Sequence, residues 1–174
     1  MNLPNKLTII RMALIPLFIL CFYLPVRWWN IVAAVIFVAA YATDTFDGYY
    51  ARKYNLVTDF GKLMDPMADK MLTTSALIML VYKSMLSPIP ALIIILREFV
   101  ISGCRLVWAG KGNVVAANWI GKMKTVTQFI AIALILLHDP LVEAIGFPLD
   151  MIVLWISVVL AVWSMLDYIR KNNK

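Results

Sequence analysis

Runs of about twenty apolar residues, the length that spans a lipid hydrocarbon core, restrict the fold of this chain more than any other feature. One of them, MIVLWISVVLAVWSML at residues 151–166, carries no charge at all. Inside lipid, backbone N–H and C=O groups find no water, so such runs satisfy themselves as helices. The composition agrees: 63% of the residues are hydrophobic and 15% charged. Ordinary soluble domains hold about 45–50% apolar residues and about a quarter charged. The chain reads as an integral membrane protein.

Six helical spans are predicted, over 6–25, 29–52, 62–83, 88–109, 120–138 and 149–169. Breakers or polar residues separate them: Pro25, Asn55, Ser87-Pro88, Gly110 to Gly112, Asp139-Pro140 and Pro148. The expected fold class is therefore all-α, a membrane bundle of six transmembrane helices forming one domain over 1–174. The first run is expected to be retained as a helix, because LPVRWWN after it offers no small-residue cleavage site.

The net charge of +6 fits cytoplasmic loops and anionic headgroups in such a chain, and nucleic acid is not an expected partner. Lys6 and Arg11, then Arg52, Lys53 and Lys62, then Lys111, Lys122 and Lys124, then Arg170, Lys171 and Lys174 mark one side of the membrane. The opposite loops offer Arg27, Lys83, Asp139, Glu143 and Asp150. Both termini are expected in the cytoplasm.

Against that apolar background, DTFDGYYARKYNLVTDFGKLMDPMADK at 44–70 concentrates five aspartates. Asp44 and Asp47 are three apart and Asp65 and Asp69 four apart, so each pair shares a helix face. Two antiparallel helices could aim four carboxylates at one point, at the cytoplasmic ends of the second and third spans. Divalent cations would relieve their repulsion, and hard oxygen donors suit Mg²⁺, Mn²⁺ or Ca²⁺. Paired ions of this kind clamp phosphoryl transfers. Gly48, Ala51 and Gly61 allow close approach of a ligand or a neighbouring helix. Arg52 suits a phosphate or, equally, an interfacial position with its charge in water. Asp59 breaks the helical spacing and is expected in the loop. DTFDG lacks the alternating ligands of an EF-hand.

The arrangement Asp44-x2-Asp47-Gly48-x2-Ala51-Arg52-x8-Gly61-x3-Asp65-x3-Asp69 resembles the motif of the CDP-alcohol phosphatidyltransferases, as do the six-span layout and the amino-terminal PNKLTIIR. The resemblance implies a multi-pass enzyme of the cell membrane, with its site facing the cytoplasm, that moves a phosphatidyl group from CDP-diacylglycerol to an alcohol and releases CMP. It implies that Asp44, Asp47, Asp65 and Asp69 hold two divalent cations, Mg²⁺ or Mn²⁺. Asp69 would also be the catalytic base. Asn5, Thr8, Gly48, Ala51, Arg52 and Gly61 would line the CDP-lipid side, and a homodimer is implied.

The acceptor is read from another region. Arg97 and Arg105 lie on nearly one face of LREFVISGCRLVWAG, with Glu98 beside the first, and Lys122 and Lys124 open the next span. Arginines inside a span usually have a partner or an anionic ligand. Arg97 could simply pair with Glu98 or an aspartate; Arg105 and Lys122 suit a phosphorylated acceptor. The stretch REFVISGCRLVWAGKGNVVAANWIGKMKTVTQ resembles the phosphatidylglycerophosphate-forming branch of the family, which implies sn-glycerol 3-phosphate as acceptor, bound by Arg97, Arg105 and Lys122. Inositol phosphate, serine or phosphatidylglycerol are the alternatives within the family. A cation-coupled transporter and an intramembrane prenyltransferase are the alternatives outside it. His138 is expected at an interface, and Cys21 and Cys104 in apolar packing.

Overall fold

The computed structural model describes residues 3–53, 59–110, 119–138 and 146–172; within the helices, the side chains of 3–6, 44–53, 59–60, 62–63, 109 and 171–172 stand outside that description. Six helices are present among the described residues: α1 (Leu3–Cys21), α2 (Trp29–Lys53), α3 (Asp59–Tyr82), α4 (Pro88–Gly110), α5 (Trp119–Leu136) and α6 (Leu149–Asn172). They fall into two compact units, Met1–Lys83 and Ser84–Lys174.

The helix ends follow local chemistry. α1 stops at Cys21, four residues short of the expected end. Pro25 disfavours a helical residue before it, and the chain tightens first through i→i−3 bonds from Phe22, Tyr23 and Leu24 to Ile19, Leu20 and Cys21 (3.0–3.2 Å). Asp59, expected in the loop, is the first residue of α3. The polar first turn carries no apolar periodicity, so the helix starts earlier than the pattern shows. After α3, Ser84 takes a left-handed conformation with φ 58°, the geometry that commonly ends a helix. Pro88 then opens α4, where its missing N–H removes no helical bond.

In the amino-terminal unit, α1 packs against both α2 and α3. Phe18 meets Phe22 and Phe37 with ring centroids 5.1 and 5.9 Å apart, and Phe22 meets Trp29 at 4.9 Å. Buried Ala33, Ala34 and Ala40 on α2 let the backbones approach. On α3 the buried Ala68, Leu72, Ala76 and Leu80 repeat every four residues, a single stripe. In the carboxy-terminal unit, α6 packs against α5 and α4, with Ile132, Ile135, Leu136, Leu154 and Ala161 buried.

The distribution of polarity is that of a protein whose solvent is lipid. Leu106, Phe99, Val35, Trp155 and Trp163 are exposed while Arg11, Arg97, Lys124 and Gln128 are buried. In water, so much exposed apolar surface would drive association; in a bilayer it is ordinary, and the charges belong inside. Among the described residues, two helical segments, Trp119–Leu136 and Leu149–Arg170, are long and apolar enough to cross a membrane, and Leu7–Cys21 and Trp29–Thr43 are shorter apolar segments.

Candidate functional site

The amino-terminal unit gathers the acidic motif. The last ten residues of α2 carry Asp44, Asp47, Gly48, Ala51 and Arg52, whose side chains lie outside the described residues. So does the side chain of Asn5 at the start of α1. The α3 half of the motif is described: Gly61 is buried, and Asp65 and Asp69 are partly exposed, one turn apart. From α1, the buried Thr8 hydroxyl donates to Asp65 Oδ1 at 2.5 Å. One turn further along α1, Arg11 Nη1 lies 3.3 Å from Asp69 Oδ1. The Arg11 side chain is 0% exposed and that of Asp69 43%. Thus two buried donors on α1 orient two carboxylates on α3, and the Thr73 hydroxyl bonds back to the Asp69 carbonyl at 2.9 Å.

The carboxy-terminal unit gathers the basic residues. Arg97 is buried, donating from Nη1 to Glu98 at 2.9 Å and from Nη2 to the Ser164 hydroxyl at 2.8 Å. Lys124, also buried, forms an ion pair with the same Glu98 oxygen. One carboxylate on α4 therefore serves two cations and ties α4 to α5, while Arg97 ties α4 to α6. Arg105 and Lys122 are exposed instead. Arg105 Nε donates to the Tyr168 hydroxyl at 3.3 Å, and its guanidinium lies 5.5 Å from that ring's centroid.

A half-exposed carboxylate pair in a lipid-facing helix bundle is suited to a charged, water-accessible reaction, and comparison with known proteins identifies the reaction's family. Residues 1–163 match the family described as CDP-alcohol phosphatidyltransferase. The chain belongs to that family. It is 45% identical to a Bacillus subtilis protein named CDP-diacylglycerol–glycerol-3-phosphate 3-phosphatidyltransferase, across 98% of this chain and 95% of the relative. Proteins of the same name from Escherichia coli K12 and Shigella flexneri serotype 5b are each 43% identical, across 97% of this chain and 93% of theirs. The chain is thus a phosphatidyltransferase of phospholipid biosynthesis, in a family of membrane enzymes that use divalent metals. The transporter and prenyltransferase readings fall with that match.

The described part of the phosphatidyltransferase motif fits such metals. Its donors are carboxylate oxygens, which suit hard cations. Asp65 and Asp69 are each held through one oxygen by a second residue, the arrangement that orients ligands around an ion. No group of three ligand-type side chains occurs among the described residues; the α2 aspartates that would complete one stand outside them.

Three contacts escape sequence reasoning. Arg11 served only to mark membrane sidedness, although an arginine inside IIRMALIP is itself a signal that a partner exists. The Glu98–Lys124 pair spans 26 positions, and no local pattern announces it. His138, expected to be merely interfacial, has Nδ1 at 2.7 Å from Asp150 Oδ2, joining the end of α5 to the first turn of α6.

Proposed function

We propose that this chain transfers the phosphatidyl group of CDP-diacylglycerol to sn-glycerol 3-phosphate, yielding phosphatidylglycerophosphate and CMP. The observation that carries this reading is the near-full-length relationship, at 43–45% identity, to enzymes named for that reaction. The family match runs through both compact units, which supports treating residues 1–174 as one functional domain.

Asp44, Asp47, Asp65 and Asp69 hold the metal site, with Thr8 and Arg11 fixing the α3 pair. Two divalent ions, Mg²⁺ or Mn²⁺, would supply charge neutralisation on the diphosphate oxygens when bound. Gly48, Ala51 and Gly61 line the CDP-lipid side and admit the nucleotide to the backbone, with Asn5 and Arg52 beside them. Asp69 accepts the proton of the acceptor hydroxyl. That oxygen bonds to the phosphorus bearing the diacylglycerol, and the bond from that phosphorus to the CMP oxygen breaks. Arg105 and Lys122, exposed and cationic, receive the acceptor phosphate. Arg97, buried and already bonded to Glu98 and Ser164, serves to hold α4 to α6 and not to bind the phosphate directly.

The same reading has six membrane spans, both termini and the active site in the cytoplasm, and a homodimer in the cell membrane. The distribution of lysine and arginine supports the orientation. Purified protein given CDP-diacylglycerol and Mg²⁺ should release CMP on addition of glycerol 3-phosphate. Folded protein that releases none would remove the acceptor assignment.

A further inference from the structure

The proposed acceptor site contains an exposed arginine whose conformation is not left to solvent. Arg105 is bonded through Nε to Tyr168 and lies over its ring, while Tyr168 is only 4% exposed. The Tyr168 ring in turn packs against Trp108 on α4, centroids 5.2 Å apart. A mobile arginine loses rotamer freedom whenever it binds a ligand, and that loss subtracts from affinity. Here one N–H is bonded to the hydroxyl of a ring that burial holds in place, and the guanidinium carbon lies 5.5 Å from that ring's centroid. The Nη atoms are not those bonded to Tyr168, and a guanidinium meets a phosphate best through two parallel N–H bonds.

The geometry points to Tyr168 as a positioning residue for acceptor binding: its hydroxyl orients Arg105 toward the phosphate monoester of the acceptor. This rests on the reading of Arg105 as an acceptor-phosphate residue. The proposed effect of Tyr168 on the acceptor runs through Arg105. A tyrosine present only for packing would be replaced by phenylalanine without consequence, since ring, burial and cation–π contact all survive that change.

The experiment is steady-state CMP release by the full-length protein and Tyr168→Phe, varying glycerol 3-phosphate and CDP-diacylglycerol in turn. Loss of one hydrogen bond to a charged group should raise KM for glycerol 3-phosphate about 5- to 20-fold. KM for CDP-diacylglycerol, kcat and the thermal midpoint should hold. In an Arg105→Ala background, adding Tyr168→Phe should change nothing further. The inference is overturned by an unchanged KM for glycerol 3-phosphate, by an equal rise in both KM values, or by the same effect with and without Arg105. A drop in thermal midpoint without a change in KM overturns it too, by assigning the hydroxyl to folding. Wild-type protein without glycerol-3-phosphate-dependent CMP release fails before any variant is compared, and so identifies failure of the function itself.

Discussion

The two compact units handle charge in opposite ways. In the amino-terminal unit the cation is buried and the anion reaches out: Arg11 is fully enclosed, and its partner Asp69 is half-exposed. In the carboxy-terminal unit two enclosed cations are neutralised internally, with Arg97 and Lys124 sharing Glu98, while Arg105 and Lys122 are exposed. Burying an ion without a partner costs several kcal/mol, so each enclosed charge here has one. The lesson is that enclosed, paired charges build the frame, and the partly exposed ones are available for chemistry. Exposure, more than residue type, separates the two roles.

The contrast is broken most severely at Asp69. Asp69→Asn should lower turnover on the order of 10²- to 10⁴-fold, the usual worth of a positioned base, with a smaller fall in the thermal midpoint as the enclosed Arg11 loses its countercharge. CMP release checks the first, and thermal unfolding in detergent the second. Removing divalent ions with a chelator should likewise abolish CMP release, and Mg²⁺ or Mn²⁺ should restore it. Persistent activity after exhaustive chelation would take the metal out of the account.

Glu98 should behave in the reverse manner. Glu98→Ala leaves Arg97 and Lys124 enclosed without their carboxylate, and losing one partner of a buried pair costs about 3–5 kcal/mol. The expected readout is a lower thermal midpoint. A protein as stable as wild type would mean that the pair does not build the frame. Arg97→Gln should also act mainly on stability. Arg105→Ala should instead raise KM for glycerol 3-phosphate about 10- to 100-fold, the worth of a charged hydrogen bond or two, at unchanged midpoint. If Arg97 and Arg105 variants behave alike, exposure does not separate frame from site.

The smallest effect belongs to Thr8. Thr8→Val removes the hydroxyl from Asp65 and keeps the shape of the side chain. One hydrogen bond is worth about 1 kcal/mol, so the concentration of Mg²⁺ giving half-maximal activity should rise about fivefold. An unchanged metal requirement would show that Asp65 needs no help from α1.

Much of this was legible in the sequence, and the remainder failed for identifiable reasons. The six described helices match the runs that proline, glycine and polar residues separate, since such residues are local helix breakers. Their ends are set by shorter-range effects: Pro25 acts back on the end of α1, and the polar turn at Asp59 hides the start of α3. The shared face of Asp65 and Asp69 was legible because helical spacing is a local property. The Arg11–Asp69 contact spans 58 positions and Arg105–Tyr168 spans 63. Such contacts come from how helices pack, which periodicity does not encode. Arg11 and Arg97 could be suspected of having partners, but not told which.

The central claim is tested most directly by offering glycerol 3-phosphate, inositol phosphate, serine and phosphatidylglycerol together, in equal amounts, to purified protein with CDP-diacylglycerol and Mg²⁺. Mass spectrometry of the extracted lipid should then find phosphatidylglycerophosphate as the dominant product, matched by CMP release. A different phosphatidyl product, or none from glycerol 3-phosphate, would contradict the account.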